Sequence, residues 1–143
     1  MLEIYRGNRS EPPAFSRFQI SLGSMREGLN VASNLDYWLE NEIRQKHSYK
    51  SFQQPDKIAD AIRLISGQKL WEEVGNVMGK SATEIKQQLS IIVDRRNKIA
   101  HEADIDPTLG LGNRWPINEK LVNDAVDFIE QVVEGIHTVI SMH

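Results

Sequence analysis

Residues 81–101 read SATEIKQQLSIIVDRRNKIAH, and this stretch has the pattern of one amphipathic helix. Ser81 and Glu84 have the spacing of a capping box, in which two residues satisfy each other's backbone N–H at a helix start. Apolar residues then recur at three- and four-residue steps, the spacing of one helix face: Ile85, Leu89, Ile92, Val93, Ile99 and Ala100. The stretch therefore predicts a helix that begins at Ser81.

The end of this helix is indicated by a change in charge. Glu102, Asp104 and Asp106 follow at short intervals, and carboxylates are unfavourable at the negative end of a helix dipole. Pro107 cannot continue a helix. We therefore expect the helix to end between His101 and Ala103, and residues 104–116 to form a glycine-rich loop that contains Arg114 and Trp115.

The rest of the chain has the same helical periodicity and no convincing β-alternation. An arm of residues 1–13 is predicted to be extended, because it contains Gly7 and Pro12-Pro13. We expect helices over 14–47, with Gly23-Ser24 as a candidate break, over 55–67, over a short stretch around 71–78 closed by Gly79, and from Asn118 to the end. The prediction is an all-α, up-down antiparallel bundle of four to five helices with a short extra helix, in one domain of residues 14–143.

Composition narrows the classes of protein that this chain can represent. The 143 residues contain no cysteine, which excludes disulfides and thiolate sites and fits a cytoplasmic protein. No apolar run of about 18 residues is present, so we expect no membrane partner. The net charge is −3, but residues 80–101 sum to +3 and the remainder to −6. A short basic segment on an acidic body is compatible with binding a few phosphates.

Arg96 and His101 are the residues in this segment with the clearest chemical use. A guanidinium binds phosphate through paired hydrogen bonds, and an imidazole exchanges a proton near neutral pH. Arg96 lies on the apolar side, seven residues after Leu89. Five residues separate Arg96 from His101, which places them roughly 140° apart on an ideal helix. For both to reach one phosphate, either the helix loosens near His101 or a second chain completes the site.

The run Arg96-Asn97-Lys98-Ile99-Ala100-His101 resembles the active-site motif of the HEPN superfamily: an arginine, a polar residue, and a histidine after four to six intervening positions. The chain is most similar to its ribonuclease toxin and phage-defence members, of the RiboL-PSP-HEPN type. Arg95 is an alternative arginine, but the polar residue follows Arg96. The chain departs from the commonest pattern after the histidine, where Glu102 replaces a small residue.

The resemblance implies a HEPN-like fold and a homodimer in which the motifs of two subunits line one cleft. It implies a metal-independent endoribonuclease, without cofactor, that cleaves RNA by 2′-hydroxyl transesterification in a toxin–antitoxin or phage-defence setting. Arg96 and His101 would be catalytic. The supporting or RNA-binding residues would be Asn97, Arg95, Lys98, Glu102 and Arg114.

Alternative interpretations remain open from the residues alone. The same domain is also compatible with a non-catalytic dimerisation or nucleic-acid-sensing module, with an antitoxin or a fused or neighbouring domain as its partner. Arg96 and His101 are compatible with purely structural roles, as an ion-pair partner and a helix C-cap. His101, Glu102, Asp104 and Asp106 are oxygen and nitrogen donors of a kind that can bind Mg²⁺ or Mn²⁺, but they match no established loop spacing.

Overall fold

The structure, a computed structural model, describes the backbone of residues 1–30, 34–104 and 118–142, and side chains in these ranges except those of 102–104. These residues form seven α-helices, one short 3-10 helix at Phe15–Arg17, and no β-strand. The helices are α1 (Leu2–Tyr5), α2 (Leu22–Asn30), α3 (Leu35–Ser48), α4 (Pro55–Ile62), α5 (Leu70–Met78), α6 (Ala82–Asp104) and α7 (Glu119–Ser141). The predicted all-α fold is confirmed.

The chain divides into two compact units. Unit 1 contains residues 1–52 and 56–68, and unit 2 contains residues 53–55 and 69–143. The proposed division into an arm of residues 1–13 and one domain of residues 14–143 stays a prediction. No helix in the described ranges combines the length and the apolar content that a membrane span requires.

The helices of unit 1 differ from the predicted ones in two places within the first third of the chain. The stretch 14–47 is not one helix, because α2 ends at Asn30 and α3 begins at Leu35. The two helices pack on each other, and a side chain at Gly28 would lie only 2.6 Å from Cε2 of Trp38. The predicted extended arm contains a helix, α1, whose Ile4 is 6% exposed. Burial of that side chain favours an ordered turn over an extended segment.

Unit 2 is built around α5, which packs against both α6 and α7. Val74 on α5 and Ile85 on α6 are fully buried. The predicted end of α5 at Gly79 is confirmed, with a left-handed φ of 65°, a conformation that glycine adopts without a steric cost. The indole N–H of Trp71 donates to the carbonyl oxygen of Pro55 at 3.0 Å.

The starts of the two long helices of unit 2 agree with the sequence-based expectations. The Glu84 N–H donates to Ser81 Oγ at 3.2 Å, and the Ser81 N–H donates to Glu84 Oε2 at 2.8 Å, which is the predicted capping box. Asn118 accepts from the N–H of Leu121 at 2.8 Å, as expected of an N-cap. The end of α6 at Asp104 lies one residue beyond the expected range, within the ambiguity of a helix terminus.

Candidate active site

The candidate site occupies the C-terminal half of α6, and this half is largely uncovered. The buried residues of α6 are Ile85 and Leu89, both in its first half. From residue 94 to residue 101 every side chain is exposed except that of Asn97, which is half-buried. The first half of α6 therefore anchors the helix in the core, while the second half presents its residues to solvent.

Arg96 and Asn97 contact each other directly. Arg96 Nη1 donates to Asn97 Oδ1 at 3.1 Å. The amide therefore holds one side of an exposed guanidinium that has several further N–H groups for an anion. Asn97 and His101 are one helical turn apart, a spacing at which side chains can meet, but no hydrogen bond joins them in the described part of the chain.

The motif residues occupy two different sides of α6. Asn97 and Lys98 precede His101 by four and three residues, so they lie on its side of the helix. Arg96 lies roughly 140° away from His101 at the α-helical angle per residue. Arg95 and Lys98 are exposed on the same segment. A phosphate beside His101 can therefore be approached by Lys98 of the same chain more readily than by Arg96.

The helix does not loosen at His101. Residues 82–104 form one continuous α-helix, and His101 lies in its last turn. Of the two ways to bring Arg96 and His101 to one phosphate, the first is therefore not realised.

Some predicted site residues lie outside the described part of the structure. Arg114 and Trp115 belong to the range 105–117, and so does Asp106. The side chain of Glu102 is also outside the description. Within the described residues, no three His, Asp or Glu side chains are grouped closely enough to hold a metal ion. The acidic cluster 101–106 is not tested by that observation.

A row of exposed apolar side chains runs along one side of α7. Its members, which we call the α7 stripe, are spaced as one helix face and are 41–58% exposed: Val122, Val126, Ile129 and Val133. By spacing alone, Val122, Ile129 and Val133 fall in one broad apolar stripe with Val132 and Val139. The buried side of α7 instead consists of Phe128, Val132, Gly135 and Val139. Apolar residues cover more than one face of α7, so the periodicity did not identify which face is inside.

The sequence of α7 itself indicates that more than one of its sides is packed. An apolar arc wider than one core-facing side indicates a helix with two packing surfaces. On α6, Ile91 and Ile99 are also exposed, at 52% and 37%. Unit 2 thus carries uncovered apolar surface on both of its long helices, in addition to the exposed motif.

Comparison with protein-family models gives a match to RiboL-PSP-HEPN over residues 26–142. The match covers α3 to α7 completely and includes the motif on α6. No curated protein and no solved structure matches the chain.

Proposed function

The chain belongs to the RiboL-PSP-HEPN family, and from that membership we propose that it is a metal-independent endoribonuclease. Membership itself favours a nuclease-like or otherwise RNA-related role. The observation that carries the finer proposal is the presentation of Arg96, Asn97 and His101 on the uncovered end of a continuous helix. A toxin–antitoxin or phage-defence setting in the cytoplasm is part of the proposal.

The proposed reaction uses a nucleophile that RNA supplies itself. The ribose 2′-oxygen attacks the adjacent phosphorus, the bond to the 5′-oxygen breaks, and a 2′,3′-cyclic phosphate remains. His101 removes the proton from the 2′-hydroxyl or donates one to the departing 5′-oxygen. Arg96 binds the phosphate and offsets the negative charge that grows in the transition state. Arg95, Lys98, Glu102 and Arg114 are proposed as supporting or RNA-binding residues.

We propose that the active form is a homodimer, because Arg96 and His101 lie roughly 140° apart on the continuous helix α6, which disfavours binding of one phosphate by both side chains of the same copy. In a dimer, Arg96 of one copy and His101 of the other can face one cleft. The exposed apolar residues of α6 and α7 are suitable to be covered by the second copy. A specific interface buries on the order of 1,200 Å² or more in total.

The decisive test is an RNA-cleavage assay in EDTA with the full chain. We expect cleavage to persist, with 2′,3′-cyclic phosphate ends, and His101→Ala to slow it by roughly 10²–10⁴ because the proton-transfer group is lost. Arg96→Ala is expected to abolish cleavage as well. Arg95→Ala is the matched control, since it removes the same charge from an adjacent exposed position and should do less.

Other outcomes would identify the alternatives. Activity that chelation abolishes and Mn²⁺ or Mg²⁺ restores would favour the acidic residues 102–106 as metal ligands. Wild-type cleavage by both His101→Ala and Arg96→Ala, with unchanged stability, would make the ribonuclease assignment of this motif wrong. If the wild-type protein does not cleave RNA and both variants lose the dimer, the alternative function is favoured. That alternative is a non-catalytic dimerisation or nucleic-acid-sensing module, with an antitoxin or neighbouring domain as its partner.

A further inference from the structure

The end of α3 in unit 1 is where two stretches of the chain without carboxylates meet. Residues 12–26 and 43–55 are the longest stretches before residue 72 that contain no Asp or Glu, and both contain Lys or Arg residues. The ring of Phe18 in the first stretch stacks on that of His47 in the second, with the centroids 6.0 Å apart. Two basic stretches are therefore in contact at the last turn of α3.

Stacked rings give this end of α3 a fixed arrangement. His47 stacks on Phe18 and also on Phe52, whose ring centroid is 6.0 Å from that of His47. Nδ1 of His47 donates to the Ile43 carbonyl oxygen at 2.7 Å, which fixes the imidazole from the side of the helix. Phe52 is nevertheless 40% exposed. Part of an aromatic surface is thus held in place and open to solvent.

Tyr49 makes little contact with the rest of the protein. It is the C-cap of α3 and is 74% exposed. The helix dipole favours cations near a helix C-terminus, which accounts for Lys46 and His47 in the last turn. The dipole does not account for an exposed aromatic ring beside them. Stacking of bases on such rings, next to positive charge, is how proteins bind single-stranded nucleic acid with little sequence preference.

Three basic side chains at this end of α3 are available to phosphates. Lys46 and Lys50 form no ion pair with any described residue, and neither does Arg17 beside the ring stack. Arg44 differs from them, because its guanidinium pairs with the Glu40 carboxylate at 2.6 Å. The positive charge of the first three side chains is therefore not offset by a carboxylate of the described chain, and an anionic ligand can use it.

We propose that the end of α3 binds single-stranded RNA outside the catalytic motif, at a site that we call the α3 patch. The aromatic members stack on bases and the cationic members contact phosphates, so binding does not depend on the base sequence. The inference rests on the proposed function, because an RNA substrate is what selects RNA among possible polyanions. The members of the α3 patch are Arg17, Lys46, His47, Tyr49, Lys50 and Phe52.

A 2′-O-methyl RNA oligonucleotide of mixed sequence tests the α3 patch without cleavage, because its 2′-oxygen cannot act as the nucleophile. Fluorescence anisotropy measures its affinity for the full chain over a series of salt concentrations. We expect Tyr49→Ala to weaken binding roughly 5- to 150-fold, the effect of losing one stacked base, without changing the salt dependence. Lys50→Ala should lower the slope of log K against log salt by about 0.7, the value for one phosphate contact with a single strand.

Matched controls lie in the same unit. Tyr37 is 62% exposed on α3, but it is next to Asp36 and lies roughly 18 Å before Tyr49 along the helix axis. Lys57 is exposed on α4 and is next to Asp56. Tyr37→Ala and Lys57→Ala should bind the oligonucleotide as the wild type does. Tyr49→Phe should do so as well, since it retains a ring on which a base can stack.

Photocrosslinking locates the contact. An oligonucleotide that contains 4-thiouridine should crosslink to Tyr49 or Phe52, as identified by mass spectrometry of the peptides. Crosslinks confined to residues 95–101, wild-type affinity in Tyr49→Ala, an unchanged salt slope in Lys50→Ala, or an equal loss in Tyr37→Ala would each overturn the proposal.

These measurements are separate from the cleavage assay. Binding that depends on Tyr49, by a chain that does not cleave RNA, would support the α3 patch and contradict only the proposed ribonuclease activity. Cleavage by a chain whose RNA binding is independent of Tyr49 would overturn only the α3 patch.

Discussion

Gly75 lies at a point where a side chain has no room, because a Cβ there would be 2.5 Å from the carbonyl oxygen of Lys80. The chain turns back at this point from α5 into α6, and the N–H of Lys80 donates to the Gly75 carbonyl at 3.0 Å. The obstructing atom belongs to the backbone, so it cannot move aside as the end of a flexible side chain could. The close approach of the two segments therefore requires glycine.

We expect Gly75→Ala to lower the free energy of unfolding by about 1–3 kcal/mol, the usual cost of overpacking a tight contact. Urea denaturation of the purified chain measures this change. Gly67→Ala is the control, because a Cβ at Gly67 meets nothing within 4 Å. That control should be neutral or slightly stabilising, since alanine reduces the freedom of the unfolded chain. Equal stability of the two variants would contradict the steric interpretation.

Single residues differ in how far their roles can be predicted from sequence. Gly79 was predictable, because a glycine directly after an apolar helical pattern is the common C-cap. Gly75 and Gly28 were not, since each is required by a neighbour that only the folded chain brings close, the Lys80 carbonyl and the Trp38 ring. Arg96 follows the apolar spacing of its helix, and the sequence did not indicate that its side chain is exposed and donates a hydrogen bond to Asn97.

At the scale of one element, α6 begins with a capping box whose strength depends on pH. Hydrogen bonds from the side chain and then the backbone of Ser81 lower the pKa of the Glu84 carboxyl below 4.5. A carboxyl whose pKa is lower in the folded state adds stability above its unfolded pKa and loses it as the pH falls through the folded value. The contribution of the Glu84 carboxylate to this cap is thus fully present at neutral pH and is lost progressively as the pH falls below about 4.5.

We expect Ser81→Ala to destabilise the chain by about 1 kcal/mol at pH 7, because an N-cap hydroxyl is lost. Denaturation of variant and wild type at a series of pH values should show the difference narrowing as the pH falls below 4.5. Glu84→Gln is the comparison, since glutamine can also complete a capping box but does not titrate. A difference that stays constant down to acidic pH would show that the carboxylate is not involved.

Elements with strong local signals were predicted well, and elements defined by packing were not. The start of α6, the start of α7 and the end of α5 have cap residues that act within one turn, so the sequence contains the cause. The division between α2 and α3 was missed because apolar residues keep helical spacing across it, from Met25 to Ile43. The inner face of α7 could not be identified from the sequence, because apolar residues surround much of that helix.

At the scale of the whole molecule, the proposed dimer makes a prediction about the α7 stripe. Val126→Glu places a charge in a surface that a second copy would cover, and burial of an unpaired charge is unfavourable. We expect this variant to sediment as a monomer at concentrations of tens of micromolar where the wild type is a dimer, and to lose cleavage. Sedimentation velocity over a concentration series measures the change.

Val77→Glu is the matched control for that experiment. Val77 is 49% exposed on α5, close to the 55% of Val126, and it lies outside the α7 stripe. We expect it to leave the dimer intact. A wild-type chain that is monomeric at every concentration, or a Val126→Glu dimer as stable as the wild type, would show that the α7 stripe does not form the interface.

The candidate site illustrates what sequence could and could not provide at this scale. The motif residues were found from their types and spacing, and their helix was placed correctly. Their mutual geometry depends on whether α6 stays helical through His101, which the caps and charges near residues 102–107 indicated only to within a few positions.

The burial of Val74 has a consequence for the order in which the protein forms on the ribosome. Val74 is fully enclosed, and Gly135 of α7 approaches its Cγ1 so closely that a Cβ there would lie at 3.1 Å. At a translation rate of roughly 5–20 residues per second, Gly135 is synthesised roughly 3–12 s after Val74. During that interval the apolar side of α5 has no α7 to cover it. We therefore expect the nascent chain to expose this apolar side of α5 for seconds, an interval in which it is accessible to chaperones.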